Sequence, residues 1–298
     1  VFAGMIVPMG GIALPLLMWL TNKDKSALID EHGKNIMNWM ISSFIFAIAS
    51  CILILVGVGI LMIIALVICS FIFTIMGAVN ASNAEFIYPG HSKWPAQIDQ
   101  LSNPPIGLIV KGDLNCLNEK SIAIIGTREP SETGLRNSRS FSTRFAKHNW
   151  HIVSGGAIGI DSAAHSAALR AGGKTIAVIA SGVEVDYPPV NSELFKKIST
   201  HGALVSEVMP HVRAQQNRFL TRNRLIAALS CATLVVEAAY RSGSLRTARD
   251  AAELMRPVLA IPGPLESPKS EGCHRLIAEH VAEIVVSEQD AMEFVGAN

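Results

Sequence analysis

The sequence predicts a doubly wound parallel α/β sheet in its last two thirds, preceded by an all-α membrane segment. From about residue 106 onward, short β-branched runs alternate with helix-like segments, which is typical of βαβ units. Glycine-rich turns follow several of these runs. Between residues 35 and 84 there is no charged residue, as expected of helices that cross a membrane.

Residues 1–84 are predicted to form a membrane domain, with spans over about residues 2–20, 36–56 and 60–79. Each span is close to the roughly 20 residues that a helix needs to cross the hydrocarbon core. Three spans place the lysine-containing loop of residues 21–35 on the same side as the α/β domain. The positive-inside bias then predicts a protein of the bacterial cytoplasmic membrane whose α/β domain lies in the cytoplasm.

The membrane segment resembles a small Tic20-like membrane domain of unknown function, through residues 14–19, 30–34 and 78–82. The resemblance covers about the first 88 residues and implies little about activity. A simple membrane anchor is the alternative, and the sequence leaves both open. Because the chain begins at Val1 inside an apolar run, we expect further residues before it.

Charge and cysteine content restrict the function. The chain has 25 Lys and Arg residues against 24 Asp and Glu residues, for a formal net charge of +1. A protein this close to neutral does not coat nucleic acid through bulk charge, so a nucleic-acid site must rest on a local basic cluster. The 5 cysteines form no CxxC pair and have no histidine spacing suited to zinc, so no metal site is predicted.

The α/β domain is predicted over residues 106–298, after a linker at residues 85–105. Its candidate strands are short apolar runs at residues 122–125, 152–154, 175–180, 204–206, 233–236 and 258–261. Their continuous apolar character predicts a sheet that is covered on both faces. In such sheets ligands bind at the carboxyl ends of the strands, so the residues after each strand are the candidate site.

Small residues follow five of the candidate strands. The loops contain Gly126-Thr127-Arg128, Ser154-Gly155-Gly156-Ala157 with Gly159, Ser181-Gly182, Ser242-Gly243-Ser244, and Pro262-Gly263. Glycine lets backbone amides approach an anion closely, and a helix N-terminus adds a partial positive charge. A tight turn explains one such loop, whereas several at one edge of a sheet favour phosphate binding.

An arginine cluster surrounds Phe219 shortly before the fifth candidate strand. Guanidinium groups fit phosphate oxygens, and an aromatic ring among them offers a surface on which a base stacks, worth roughly 1–3 kcal/mol per base. In the alternative interpretation, Phe219 is a core side chain and Arg222 or Arg224 pairs with Glu207 or Glu237.

Taken together, these motifs resemble the DNA-processing protein A family (DprA, also called Smf) over about residues 88–285. The order and spacing that carry the resemblance are those of Gly126-Thr127-Arg128, the glycine loop with Asp161 and His165, Tyr187-Pro188-Pro189, Phe219-x-x-Arg222-Asn223-Arg224, Glu237, Ser242-Gly243-Ser244-Leu245-x-Thr247 and Pro262-Gly263. The resemblance implies an extended Rossmann-like fold and single-stranded DNA binding without catalysis. It also implies a homodimer that supports DNA processing in natural transformation by handing strands to a RecA-type recombinase.

The resemblance further implies roles for individual residues. Arg128 and Arg222 would contact phosphates, the amides of the glycine loop would cradle another, and Phe219 would stack or wedge against a base. The residues implied in DNA or phosphate binding are Gly126, Thr127, Arg128, Ser154, Gly155, Gly156, Ala157, Gly159, Phe219, Arg222, Asn223, Arg224, Ser242, Gly243 and Ser244. Structural roles fall to Asp161, His165, Glu237, Thr247, Pro262 and Gly263. No catalytic residue, cofactor or metal ion is implied.

Two other functions stay open. Nucleotide-sensing domains of the same wider superfamily are joined to membrane spans and are proposed to act as defence or signalling effectors, an architecture that resembles this one. Lysine-decarboxylase-like phosphoribohydrolases share the fold and a glycine-rich loop. Their Pro-Gly-Gly-x-Gly-Thr-x-x-Glu pattern is absent here, because Pro262-Gly263 continues as Pro264-Leu265-Glu266. The membrane spans also depart from the helical and winged-helix domains that many members of the DprA family carry.

Overall fold

The chain divides into two compact units, Val1–Ile75 and Met76–Asn298. The structure is a computed structural model that describes residues 10–53, 59–80 and 83–296. The first unit contains helices α1 (Gly10–Asn22), α2 (Ala27–Leu53) and the beginning of α3 (Gly59–Asn80).

Polar and aromatic contacts join the helices of the first unit. The indole nitrogen of Trp19 on α1 donates to the Asp30 carboxylate on α2 at 3.0 Å. Gly33 allows this close approach, because a Cβ at that position would lie 2.0 Å from the Trp19 ring. Further along, the rings of Trp39 and Phe73 lie 4.7 Å apart between α2 and α3.

The predicted membrane spans coincide only partly with these helices. Residues 2–9 and 54–56 lie outside the described residues, and α2 already begins at Ala27, within the predicted loop. Within the described ranges, no helix combines the length and the apolar content that crossing a membrane requires. The three-span segment therefore stays a prediction.

The second unit contains one twisted sheet of nine strands in the order β1-β2-β6-β5-β4-β3-β7-β8-β9. The strands are β1 (Glu85–Ile87), β2 (Leu108–Gly112), β3 (Ser121–Ile125), β4 (His151–Ser154), β5 (Thr175–Val178), β6 (Ala203–Ser206), β7 (Ala232–Val235), β8 (Val258–Ala260) and β9 (Glu283–Ile284). The strands in the run β6-β5-β4-β3-β7-β8-β9 pair in parallel, whereas β1 pairs with β2, and β2 with β6, in antiparallel fashion. The predicted parallel α/β fold is confirmed, and the six candidate strands correspond to β3 through β8.

Helices cover both faces of the sheet. They are α4 (Glu132–Lys147), α5 (Ile160–Arg170), α6 (Ser192–His201), α7 (Gln216–Ala228), α8 (Gly243–Glu253), α9 (Glu271–Ala278) and α10 (Glu288–Phe294). On one face, α4, α5 and α10 contribute Phe145, Ile160 and Met292 to a buried cluster. On the other face, α7 and α8 contribute Leu225 and Leu245 to a second cluster. Two buried faces explain why the central strands are mainly apolar.

Residues 85–105 belong to the sheet and its core and do not form the predicted linker. Strand β1 pairs with β2, and the side chains of Trp94, Ile98 and Leu101 lie in the same buried cluster as α7 and α8. The sequence does not reveal this strand, because three residues are too few to show an alternating pattern. Its partner β2 lies outside the parallel part of the sheet and pairs antiparallel with β6.

Replacing Ile98 by alanine tests whether this segment stabilises the domain. Ile98 is 0% exposed, so Ile98→Ala in the fragment 76–298 is expected to lower the free energy of unfolding by about 2–5 kcal/mol, because it leaves a cavity. Ile106 is 91% exposed and serves as the matched control, with an expected change below about 0.5 kcal/mol for Ile106→Ala. Urea denaturation provides the measurement, and equal effects would contradict the assignment.

Candidate nucleic-acid interface

The carboxyl ends of β3 and β7 form the topological switch point of the sheet. From β3 the chain continues to β4, β5 and β6 on one side, and β7, β8 and β9 lie on the other. Ligands of doubly wound sheets bind in the crevice at such a point. The strand register continues into the loops, where the Thr127 amide donates to the Glu237 carbonyl at 2.8 Å and the Ser244 hydroxyl donates to the Gly126 carbonyl at 2.8 Å.

Glu237 fixes the loop that follows β3. One of its carboxylate oxygens accepts the Ser131 amide at 2.9 Å, and the other accepts the Ser131 hydroxyl. The same hydroxyl accepts the Gly134 amide at 2.9 Å and so caps the N-terminus of α4. Glu237 therefore holds both ends of the short segment from which Arg128 projects.

The glycine loop after β4 holds a carboxylate of its own. Asp161, in the first turn of α5, accepts the amides of Gly155 and Ala157 at 3.2 and 3.3 Å. Burial raises the pKa of this carboxyl group, while the nearby positive charge of Arg222 lowers it. Two amides of the loop that was predicted to cradle a phosphate are thus already bonded, and a phosphate would have to displace Asp161 to use them.

Glycine is required at two positions of this loop. Gly156 and Gly159 have φ values of +71° and +88°, in the region that side chains disfavour. A Cβ on Gly159 would also lie 2.5 Å from the Thr127 carbonyl, so the loops after β3 and β4 touch here. Ser154 does not face this space, because its buried hydroxyl donates to the Ile124 carbonyl at 2.7 Å.

Arg222 lies beneath the glycine loop and not on the surface where a phosphate contact was predicted. Arg222 is only 7% exposed. One terminal nitrogen of its guanidinium group donates to the Gly155 carbonyl at 2.6 Å and to the Val178 carbonyl. Burial lowers its pKa to about 10, so the guanidinium remains charged at neutral pH. Arg222 therefore ties α7 to the ends of β4 and β5.

The two residues after Arg222 also have partners within the protein. The Asn223 side chain donates to the Gly243 carbonyl at 3.2 Å, which connects α7 to the start of α8. Arg224 forms an ion pair with Glu207 at 2.5 Å. Arg224 therefore pairs with Glu207, as the alternative interpretation of the arginine cluster proposed.

An arginine and two aromatic rings meet above this framework. The Arg128 guanidinium carbon lies 5.2 Å from the centre of the Phe219 ring, and the rings of Phe219 and Tyr187 are 5.6 Å apart. Arg128 and Tyr187 are exposed, and Phe219 is half-buried. The predicted pair of Arg128 and Phe219 is therefore brought together. Tyr187 was not among the residues predicted to bind DNA. Its presence in the Tyr-Pro-Pro motif was the one sequence signal that could have identified it.

The N-terminus of α8 opens toward the same edge of the sheet. Ser242 is its N-cap residue, and the buried Ser242 hydroxyl has no hydrogen-bond partner in the part of the chain that the structure describes. Gly243 is exposed, and a Cβ there would meet only the Asn223 side chain, at 3.7 Å. The first amides of a helix carry a partial positive charge, so this terminus suits an anion.

The remaining motif residues lie deeper or further along the edge. Thr247 is buried in α8. The Gly263 carbonyl accepts the His274 imidazole at 2.9 Å, which attaches the loop with Pro262 to α9. Among the described residues, no three His, Cys, Asp or Glu side chains are grouped closely enough to hold a metal ion.

His165 is a buried neutral residue. Its Nδ1 atom lies 2.6 Å from the Thr175 hydroxyl, which donates its own proton to the Ile152 carbonyl. Nδ1 is therefore the protonated nitrogen, and Nε2 is buried without a partner among the described residues. Burial, with a smaller effect of the Arg222 charge, lowers the pKa of His165 to about 3.

The pH dependence of stability tests this environment. Between about pH 6.5 and about pH 3 the unfolded chain binds a proton at this histidine and the folded chain does not, so the free energy of unfolding is expected to fall as the pH drops through this window. His165→Gln is expected to show a shallower fall. Denaturant titrations of both proteins at several pH values measure the free energy of unfolding. Titration of the His165 imidazole by NMR near pH 6.5 would contradict the assignment.

Comparing Arg222 with Arg128 separates an internal brace from a surface contact. Arg222→Ala removes a donor from two backbone carbonyls and is expected to lower the free energy of unfolding by about 1–3 kcal/mol for each carbonyl left unpaired. The matched control is Arg128→Ala, where an exposed arginine is lost and a change within about 0.5 kcal/mol is expected. Thermal or urea unfolding is the readout, and an Arg222 variant as stable as the control would refute the bracing role.

Two protein-family models match parts of the chain. The family model described as DNA recombination-mediator protein A matches residues 85–296. The model described as the magnetosome magnetite crystal formation protein family matches residues 1–94. The first match covers the whole sheet, including β1 and β2.

Individual relatives agree with the first match. A Mycobacterium tuberculosis protein that bears the name DprA is 46% identical over 177 residues, which are 59% of this chain and 45% of that protein. The chain thus spans about half the length of this curated relative. The crystal structure of DprA from Streptococcus pneumoniae superposes with a TM-score of 0.68 at 38% identity, covering 70% of this chain and 74% of that one. DNA processing protein A from Helicobacter pylori, whose structure was solved to describe its single-stranded DNA binding mode, gives a TM-score of 0.63 at 31% identity, with 68% and 91% covered.

Proposed function

Over residues 85–296 the chain belongs to the DNA recombination-mediator protein A family, and we propose that it binds single-stranded DNA along the carboxyl edge of its sheet. The Helicobacter pylori relative, described by its single-stranded DNA binding mode, supports this ligand. Binding supports DNA processing and needs no catalytic residue. The chain acts as a DNA-binding protein and not as an enzyme.

The observation that carries the proposal is the cluster of Arg128, Phe219 and Tyr187. An arginine over an aromatic ring, half open to solvent, offers a base a stacking surface and its phosphate a cation. The second ring, 5.6 Å away, widens that surface. An unpaired strand can turn its bases onto the rings, whereas a duplex keeps its bases stacked on each other, so the cluster favours single strands.

A polymer is favoured over a small ligand because anion-binding groups extend along the edge. The exposed guanidinium of Arg128 lies at the switch point, and the N-terminus of α8 at Gly243 lies beside the same loop through the bond from Ser244 to Gly126. Each group suits one phosphate. Two separate anion sites next to a stacking surface fit consecutive nucleotides.

The alternative of a membrane-tethered nucleotide sensor receives less support. In that function the glycine loop would hold the phosphates of a small signalling nucleotide. Asp161 already accepts two of the loop amides, and its carboxylate would repel an incoming phosphate. The exposed groups nearby are instead those that a strand would use.

Strand transfer to a RecA-type recombinase and homodimer formation are part of the proposal. The description of the family as recombination mediators supports the first, and the resemblance to the DprA family supports both. In this function the chain would hold a single strand during natural transformation and hand it to the recombinase.

Attachment to the bacterial cytoplasmic membrane, with the α/β domain in the cytoplasm, is likewise proposed. The helices of the first unit carry many exposed large apolar side chains, among them Phe44, Leu61 and Phe71, which are 59%, 68% and 67% exposed. Apolar surface of this extent suits lipid. Sedimentation of the full chain with membranes that resists alkaline carbonate would support it, and release by carbonate would oppose it.

Salt-titrated binding of the full chain to fluorescent oligo(dT) tests the DNA site. Arg128→Ala is expected to weaken binding and to reduce the magnitude of the slope of log K against log salt by about 0.7–1, since one phosphate contact is lost. Phe219→Ala is expected to weaken binding by roughly 5- to 150-fold with the slope unchanged, because stacking involves no counterion.

Matched controls lie away from this edge. Phe294 on α10 is 51% exposed, and Arg170 is an exposed arginine in the last turn of α5, at the opposite edge of the sheet. Phe294→Ala and Arg170→Ala are expected to bind like the unchanged protein. Equal loss in the site and control variants, or tighter binding of duplex than of single strand, would refute the proposal.

A further inference from the structure

We propose that Tyr240 and Arg275 form a second base-stacking site, which extends the single-stranded DNA track past the N-terminus of α8. This inference rests on the proposed function and adds residues that none of the sequence motifs contains. Its ligand is a further nucleotide of the same strand.

The second pair repeats the geometry of the first. The Arg275 guanidinium carbon lies 4.8 Å from the centre of the Tyr240 ring, close to the 5.2 Å between Arg128 and Phe219. Tyr240 is 40% exposed, so part of its ring is open to solvent. Both pairs present an arginine and an accessible aromatic surface, the combination on which bases stack without regard to sequence.

The pair lies on the binding edge because a close backbone contact brings α9 to the loop after β7. The Gly272 amide donates to the Ala238 carbonyl at 2.8 Å, and a Cβ on Gly272 would lie 2.6 Å from that oxygen. Arg275 follows Gly272 by about one helical turn and so reaches Tyr240. Tyr240 itself lies between Glu237 and the N-terminus of α8.

Ionic contacts hold the Arg275 side chain in place. Glu279 accepts Arg275 at 2.6 Å and Arg249 at 3.1 Å, so one carboxylate serves two guanidinium groups. A phosphate beside the Tyr240 ring would find a cation already oriented.

The residues after Tyr240 supply the remaining groups that a nucleotide needs. Arg241 is exposed and makes no ion pair or hydrogen bond within the described ranges. The buried Ser242 hydroxyl likewise has no partner in the described part of the chain. A ring, a cation and a hydroxyl group therefore occur on three consecutive residues beside the first amides of α8.

The strand order separates the two stacking sites along the edge. Phe219 contacts Arg128 and Tyr187, from the loops after β3 and β5, whereas Tyr240 and Arg275 lie in the segments after β7 and β8. Arg128 and Tyr240 follow the neighbouring strands β3 and β7, whereas the rings of Tyr187 and Tyr240 follow β5 and β7, three strand positions apart at about 4.8 Å each. A strand long enough to reach both sites should bind more tightly than a short one.

Binding of the full chain to oligo(dT) of about 6 and about 20 nucleotides tests this extension, since these lengths bracket common single-strand site sizes. Tyr240→Ala is expected to weaken binding of the longer strand by roughly 5-fold or more and to leave the shorter strand unaffected. Tyr240→Phe keeps the ring and is expected to restore binding. Tyr88→Ala is the matched control, because Tyr88 is 50% exposed beside β1 at the other end of the sheet.

Photocrosslinking gives a second readout that does not depend on affinity. Oligonucleotides with 5-iododeoxyuridine are expected to crosslink to the peptide containing Tyr240, with the yield reduced in Arg275→Gln. No crosslink at Tyr240, together with unchanged affinity of Tyr240→Ala for the longer strand, would overturn the second site. If Arg128→Ala and Phe219→Ala still lost binding, the proposed function would stand without it. If those variants also bound normally, both would fall.

Discussion

The arrangement of the interface depends on one buried guanidinium group, that of Arg222. Burying a cation is costly unless it is hydrogen-bonded, and here backbone carbonyls at the ends of β4 and β5 accept it. The bonds fix α7 against the sheet. Because Phe219 precedes Arg222 by about one helical turn, the same bonds place its ring at the carboxyl edge, where it meets Arg128.

Anion-binding geometry is used twice in this domain, once for folding and once at the surface. In the glycine loop the amides hold the Asp161 carboxylate, which makes the loop a rigid support below the interface. At the start of α8, Gly243 is exposed and the amides face the edge of the sheet. The same backbone chemistry thus serves structure at one loop and is left exposed at the next.

Much of the fold followed from local patterns, and the exceptions have a common cause. Strands β3 through β8 are apolar runs long enough to recognise, and the glycine turns after them located the edge where Arg128 and Phe219 meet. The sequence predicts a linker at residues 85–105, since the three residues of β1 carry no period and the pairing of β1 with β2 exists only in the folded sheet. The phosphate contact of Arg222 was implied by the family resemblance, and the carbonyl groups that it contacts instead come from segments distant in the sequence.

The parallel α/β architecture, the family and the proposed binding edge could be predicted from the sequence, because apolar runs, glycine turns and motif spacing are local properties of the chain. Which arginine side chains are exposed depends on contacts between residues far apart in the chain. Arg128 is exposed beside an aromatic ring. Arg222 instead donates to backbone carbonyls, and Arg224 forms an ion pair with Glu207. The sequence also did not predict the contact of Tyr240 with Arg275, because it joins the loop after β7 to helix α9.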